Sequence, residues 1–229
     1  MSYYQRAATV ALRLFSPATA LTLVDAGLAL AYAQPHTQEQ TNQTFALLLA
    51  RVACLIGLKG YTGAEIGEVY RQLEELLPQV DDDRLQFSAR HWLRQYHSAS
   101  GNMAQAQVHA EHLLEVGGRL QEPEVRVIAH QGYAMVCYLL GRFQMARAHL
   151  DQVEVLYKTL LVTSRKSELS NRSVPNILSN LSSPLWYLGY PEQAYRKATE
   201  GVEWANKIGY PGEIAIALLF ALDIYTSLY

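Results

Sequence analysis

The sequence predicts an all-helical protein, a right-handed α-solenoid of antiparallel hairpins with about eleven helices, and three observations carry that prediction. Gly60, Gly101, Gly141 and Gly189 each close one apolar stretch and open the next, at intervals of 41, 40 and 48 residues, which is the spacing of stacked helical hairpins. Ala and Leu dominate a composition that is 50% hydrophobic, and the long apolar stretches lack the Val/Ile/Thr alternation of strands. Helix start and stop residues flank those stretches.

Taken in order, the first hairpin spans about 1–34, with Ser16 as N-cap and Pro17 at the first position of its second helix. Polar residues from Gln34 to Asn42 form a turn. The next hairpin covers 43–80: Phe45, Leu48, Leu49, Val52 and Ile56 line one side of its first helix, Gly60 ends it, and Thr62 with Glu65 has capping-box spacing for the second. Pro78 and the acidic run Asp81 to Asp83 close that hairpin and suit the positive end of the helix that follows.

The hairpin over 83–119 places Phe87, Trp92, Leu93 and Tyr96 on its first helix, Gly101-Asn102 at its turn, and Ala106, Ala110, Leu113 and Leu114 on its second. Over 123–162, Pro123 starts a helix carrying Val127, Tyr133, Ala134 and Cys137, and Phe143, Ala146, Leu150 and Val153 follow the turn. Residues 163–173 lack an apolar period and read as an exposed insertion, which accounts for the 48-residue interval. A further hairpin covers 174–208, and Pro211 to Tyr229 forms half of another. On that last helix Leu218, Leu219, Leu222 and Tyr225 present an uncovered apolar face, so the chain reads as a piece of a longer array or as a module that self-associates through that face.

Each hairpin also repeats a small residue pattern: Gly141, Phe143, Ala146; Gly101, Met103, Ala106; Gly189, Pro191, Ala194. This resembles the tetratricopeptide repeat, in which the Gly marks the turn and the Ala the close helix crossing, here in variants longer than that family's 34-residue unit. The segments Leu58 to Glu65, Gly101 to Ala106, Gly141 to Leu150 and Tyr187 to Ala194 are similar to the helical-repeat regions of large bacterial signalling ATPases of the STAND type, multidomain proteins like the maltose-operon activator. That resemblance implies a sensor or scaffold whose repeats bind a partner and control a tethered ATPase, cyclase or DNA-binding module. It does not carry over the ATPase, because no Gly-x-x-x-x-Gly-Lys-Ser/Thr sequence occurs.

Charge argues in the same direction. With 19 Lys plus Arg against 21 Asp plus Glu, the chain has no global field for nucleic acid or anionic lipid. The apolar run Ile214 to Leu222 is too short to cross a membrane, and no membrane partner is expected. Cys54 and Cys137 read as small hydrophobes on helix faces, unpaired in a reducing compartment, and the expected localisation is cytoplasmic.

No nucleophile elbow or zincin spacing points to an enzyme, and no cofactor or metal is expected. His109 and His112 stand three apart on one helix and read as a solvated face, although His91 and His97 on the preceding helix come within reach. The acidic run lacks the alternating ligands of a calcium loop.

The aromatic residues Trp92, Tyr133, Phe143 and Trp186 read as packing between hairpins. By the tetratricopeptide register, the first helix of each hairpin lines a concave groove, and His91, Gln95, Gln131, Met135, Tyr138, Asn176, Ser179, Ser183 and Tyr187 face it. Such a polar and aromatic mixture suits a peptide or protein partner, held without the Lys and Arg clamp for a C-terminal carboxylate. The function expected is a non-catalytic, protein-binding scaffold or sensor segment of a larger signalling or transcription regulator. A small-molecule effector site stacked on Trp186, Tyr187 and Tyr190 is the alternative from another class.

Overall fold

A computed structural model of the chain describes every residue except Met1, Phe15, His36, Tyr61, Thr62, 164–167, Tyr210, Leu228 and Tyr229, and the side chains of Ser2, Arg13, 160–177 and Glu213 also lie outside the description. The described residues form eleven α-helices and one turn of 3-10 helix over Leu77–Gln79, with no strand among them. They divide into two compact units, residues 1–112 and 113–229.

In the first unit, α1 (Ser2–Arg13), α2 (Pro17–Tyr32), α3 (Gln38–Lys59), α4 (Ala64–Leu76) and α5 (Asp83–Ala99) are followed by the first part of α6 (Met103–Leu120). Helix α3 is the core helix, packed by α1, α2, α4 and α5, with Phe45, Leu47, Leu48, Val52, Cys54 and Leu55 at 0–1% exposure. At 22 residues it is also, among the described residues, the one helix long and apolar enough to cross a membrane by length and composition, a stretch the sequence reading of Ile214 to Leu222 passed over. Helices α1, α2 and α3 approach closely at Gly27, where an added Cβ would meet Tyr4 at 3.0 Å and Leu47 at 3.1 Å.

The start of α3 corrects the expected turn over 34–42. Thr37 caps the helix by accepting from the Gln40 amide, and the buried Gln40 side chain donates to the Ala31 carbonyl at 2.9 Å and to Thr44 Oγ1 at 3.2 Å. Polar residues form the first turn of α3 because Gln40 adds a side-chain donor to the Ala31 carbonyl at the end of α2, beside the backbone amides of Ala33 and Gln34. A second correction concerns α4, whose N-cap is Gly63 and makes no side-chain cap. Glu65 instead meets Lys59 and Arg51, and Thr62 lies outside the described residues. Asp82 does cap α5 as expected, accepting from the amides of Arg84 and Leu85.

The second unit holds the remainder of α6, then α7 (Pro123–Leu139), α8 (Phe143–Thr163), α9 (Glu168–Tyr187), α10 (Pro191–Ile208) and α11 (Pro211–Thr226). Successive helices from α7 to α11 pack as neighbours, and α9 also touches α7 and α11. Helix α9 begins at Glu168 and α8 ends at Thr163, so most of the segment read as an insertion is helical backbone. An apolar period marks the face that a helix buries, so its absence hid the helical backbone at 168–173 without excluding it.

Three turns share one geometry. Gly101, Gly141 and Gly189 adopt φ of 78°, 73° and 82°, conformations open to glycine and strained for other residues. In each, the amide of the residue after the glycine reaches back five positions: Asn102 to His97 at 2.9 Å, Arg142 to Cys137 at 2.8 Å, Tyr190 to Leu185 at 2.9 Å. The glycine amide itself bonds three positions back, which completes a Schellman motif. Ala106, Ala146 and Ala194, five residues after these glycines, are all fully buried.

On α11 the buried face is Ala217, Ala221 and Ile224, while Leu218, Leu219 and Leu222 are 49%, 67% and 59% exposed. Tyr225 does not belong with those leucines. It packs toward α10, where its hydroxyl lies 3.0 Å from Thr199 Oγ1 and its ring 5.4 Å from Tyr195, because its position follows the Ala221–Ile224 stripe.

Candidate functional site

The predicted groove residues fall in both units, and each set is described within its own. In the first unit His91 and Gln95 stand one turn apart on α5, and they engage each other: Gln95 Nε2 lies 2.7 Å from His91 Nε2. Burial, with help from the nearby Arg94 charge, pushes His91 down to about 3. Its ring is therefore neutral at physiological pH, with Nε2 assigned as the acceptor of the Gln95 amide.

In the second unit Gln131, Met135 and Tyr138 lie on α7 at spacings of four and three, which places them on one helix face, each partly buried. Ser179 and Ser183 on α9 are fully buried, which corrects their placement in an open groove. Helix α9 is packed by α7, α8, α10 and α11, so a face that a terminal hairpin would leave open is covered here. Small hydroxyl residues suit that covered position, and Ser182 Oγ donates to the Ser179 carbonyl at 2.6 Å. The side chain of Asn176 lies outside the described residues.

Tyr138 and Tyr187 do come together, with ring centroids 6.0 Å apart. Phe143 joins them at 5.9 Å from Tyr138 and stacks on Tyr187 at 4.6 Å with ring planes 7° apart. Tyr138 lies in the last turn of α7, Phe143 begins α8 and Tyr187 ends α9, so the cluster sits at the turn ends marked by Gly141 and Gly189. Burial pushes the Tyr138 hydroxyl up, Ser183 beside it pulls the other way, and Tyr187 and Asp223 add to the rise. Tyr187 is 53% exposed. Beside it, Tyr190 is 43% exposed and carries the Arg147 guanidinium over its ring at 4.7 Å.

The register missed Phe143, Arg147 and Tyr190 as parts of this face. The available signal was the aromatic pair flanking each turn glycine, Tyr138 with Phe143 and Tyr187 with Tyr190. Trp186 points the other way, partly buried against Leu185, Ala194 and Ile224, so the stack of Trp186 with Tyr187 and Tyr190 does not form.

A separate open cleft of about 480 Å³ in the first unit is lined by residues including Gln5, Gln38, Asn42, Asp82 and Leu85. Two of its amides are engaged within the fold, since Gln38 donates to the Gln79 carbonyl and Asn42 to Asp81, each at 2.8 Å.

No protein-family description matches the sequence, and no curated protein matches it. Solved structures do. A Rap protein complexed with competence and sporulation factor aligns over 99% of this chain at 13% identity and a TM-score of 0.70. A Podospora anserina putative kinesin light chain with nearly identical TPR-like repeats aligns over 90% of this chain and 94% of its own, at 14% identity and a TM-score of 0.65. The fold is a tetratricopeptide-like helical repeat. BtubC from P. vanneervenii is similar as well, at 12% identity and a TM-score of 0.63, over 91% of this chain and 82% of its own. The chain spans 60% of the length of the Rap protein.

Proposed function

We propose that this chain is a protein- or peptide-binding repeat segment and that its docking face is the aromatic cluster of the second unit, Tyr138, Phe143 and Tyr187, flanked by Tyr190 and Arg147. The observation that carries the reading is the solvent-facing stack of Tyr187 on Phe143. Tyr and Arg are the residues that concentrate binding energy at interfaces, because they bring large rigid area and a polar tip at little entropic cost. Exposed Leu139 and Met145 border the same turn and add adaptable apolar surface. The likeness to a Rap protein solved with a bound factor supports capture of a partner. The sequence resemblance to signalling-ATPase repeat regions supports a regulatory setting in which capture biases a tethered module, and a cytoplasmic location fits that setting.

A random peptide library panned against the full chain tests this reading. Selected peptides should lose roughly tenfold or more in affinity against the double variant Tyr138→Ala/Tyr187→Ala, the scale of one or two interface hot spots, while far-UV circular dichroism stays unchanged. Peptides that bind the double variant as well as the parent chain would remove the aromatic face as the docking site.

A further inference from the structure

Inside the first unit, three side chains from three successive helices converge away from any groove position. His97 on α5 and His109 on α6 are buried, at 7% and 6% exposure, and their rings lie parallel within 7° at 5.4 Å between centroids. Glu74 on α4 faces both: its Oε1 is 2.9 Å from His97 Nε2 and 3.6 Å from His109 Nε2. The latter separation is too long for a hydrogen bond. Neither ring nitrogen of His109 has a hydrogen-bond partner among the described residues, an arrangement that native interiors avoid unless something else meets the group.

We propose that Glu74, His97 and His109 form a binding site for a divalent transition-metal ion of the zinc class. One donor atom from each residue lies within 4.8 Å of the other two. Tetrahedral ligands about 2.1 Å from zinc stand about 3.4 Å apart. The Glu74–His97 contact must open slightly and the others close, movements within the reach of side-chain torsions. Two imidazoles and a carboxylate suit zinc and its first-row neighbours rather than magnesium or calcium. Three protein ligands leave a fourth position, on the side where the Glu74 side chain is 39% exposed, for water or a donor from a partner.

Burial pushes His109 down to about 4, with His97 and Arg90 adding to the fall and Glu74 opposing it. The Arg90 charge works against a bound cation and the Glu74 carboxylate works for it. Bound metal would tie α4, α5 and α6 together, a role independent of the aromatic face in the second unit.

The full chain, stripped by chelator, is titrated with Zn²⁺ by calorimetry and with Co²⁺ by visible absorption. The expected result is one ion per chain with a micromolar or tighter dissociation constant, four-coordinate Co²⁺ bands, and a melting temperature raised by added Zn²⁺. Glu74→Gln and His109→Gln should each weaken binding roughly tenfold or more. His130→Gln, which alters the histidine pair formed with His149 at 3.0 Å in the second unit, should bind as the parent does. Glu74→Gln keeps the readout valid, since it changes an exposed carboxylate to its isostere. An absence of micromolar binding by the parent chain overturns the site, as does equal affinity in the Glu74→Gln and His109→Gln variants. Loss of binding in His130→Gln would do the same by moving the metal elsewhere.

Discussion

His109 and Lys197 occupy the same place in two hairpins, eight residues after Gly101 and Gly189 respectively. Each meets a glutamate from the second helix of the preceding hairpin: His109 faces Glu74 at 3.6 Å, and Lys197 faces Glu154 at 3.1 Å. The second unit answers that glutamate with an ammonium, which also reaches Glu200 at 3.4 Å, while Lys158 shares Glu154 at 2.9 Å. The first unit answers with two imidazoles on one carboxylate. One register position therefore serves as a charge pair in one hairpin and as a set of lone-pair donors in another. The difference follows from the residue four before each glycine, His97 in the first case and Leu185 in the second.

Acidification should separate the two arrangements most strongly. Burial holds His91 and His109 below the ordinary histidine value of 6.5, to about 3 and about 4. Both are neutral when folded and protonate more readily when unfolded, so the unfolded chain takes up protons first. Their contribution is fully present above pH 6.5 and declines as the pH falls toward 4. The loss is on the order of 3 kcal/mol for each of the two. Urea unfolding across that range, followed by hydrogen exchange, should show α5 and the first part of α6 losing protection. Burial also lowers His130 and His149, so α7 and α8 should weaken in the same direction. An increase in stability on acidification would contradict the neutral assignment.

A smaller effect tests how alike the hairpins are at their turns. Gly101→Ala and Gly141→Ala place a Cβ where no heavy atom lies within 4 Å, so the cost is that of the left-handed backbone alone, about 1–2 kcal/mol. Equal drops in thermal stability are expected, and a marked inequality would show that the two Schellman turns are not energetically equivalent.

The smallest expected effect concerns the ammonium pair. Lys197→Met keeps the apolar stem and removes the charge, so the loss should be about 1 kcal/mol, as Lys158 still faces Glu154. Glu154 has its carboxyl held down chiefly by hydrogen bonds from Lys158 and Lys197, against burial, and its pKa should rise in the variant by nuclear magnetic resonance titration. An unmoved Glu154 would show that Lys197 contributes nothing there.

Much of this was legible in the chain itself. The turn glycines and the buried Ala106, Ala146 and Ala194 follow from backbone conformation and close crossing, both written in single residues. The groove was harder to read, because Ser179 and Ser183 obey the register of a first helix while α9 is covered on several sides, and coverage depends on neighbours far along the chain. His109 was misread as solvated for a related reason: its partner on the helix, His112, is visible locally, whereas Glu74 lies 35 residues earlier. Polarity misled at α3 too, since the role of Gln40 is visible only once the Ala31 carbonyl is beside it.

The three identical turns have a kinetic consequence. Each hairpin is closed by hydrogen bonds between residues three and five positions apart, so the chain loses little loop entropy in making its first long contacts. Low contact order of this kind favours fast folding, and a repeat fold lets a nucleus start at more than one hairpin. A newly made chain would then acquire Gly101, Gly141 and Gly189 turns as separate early events, and burst-phase amide protection at Asn102, Arg142 and Tyr190 would be its mark.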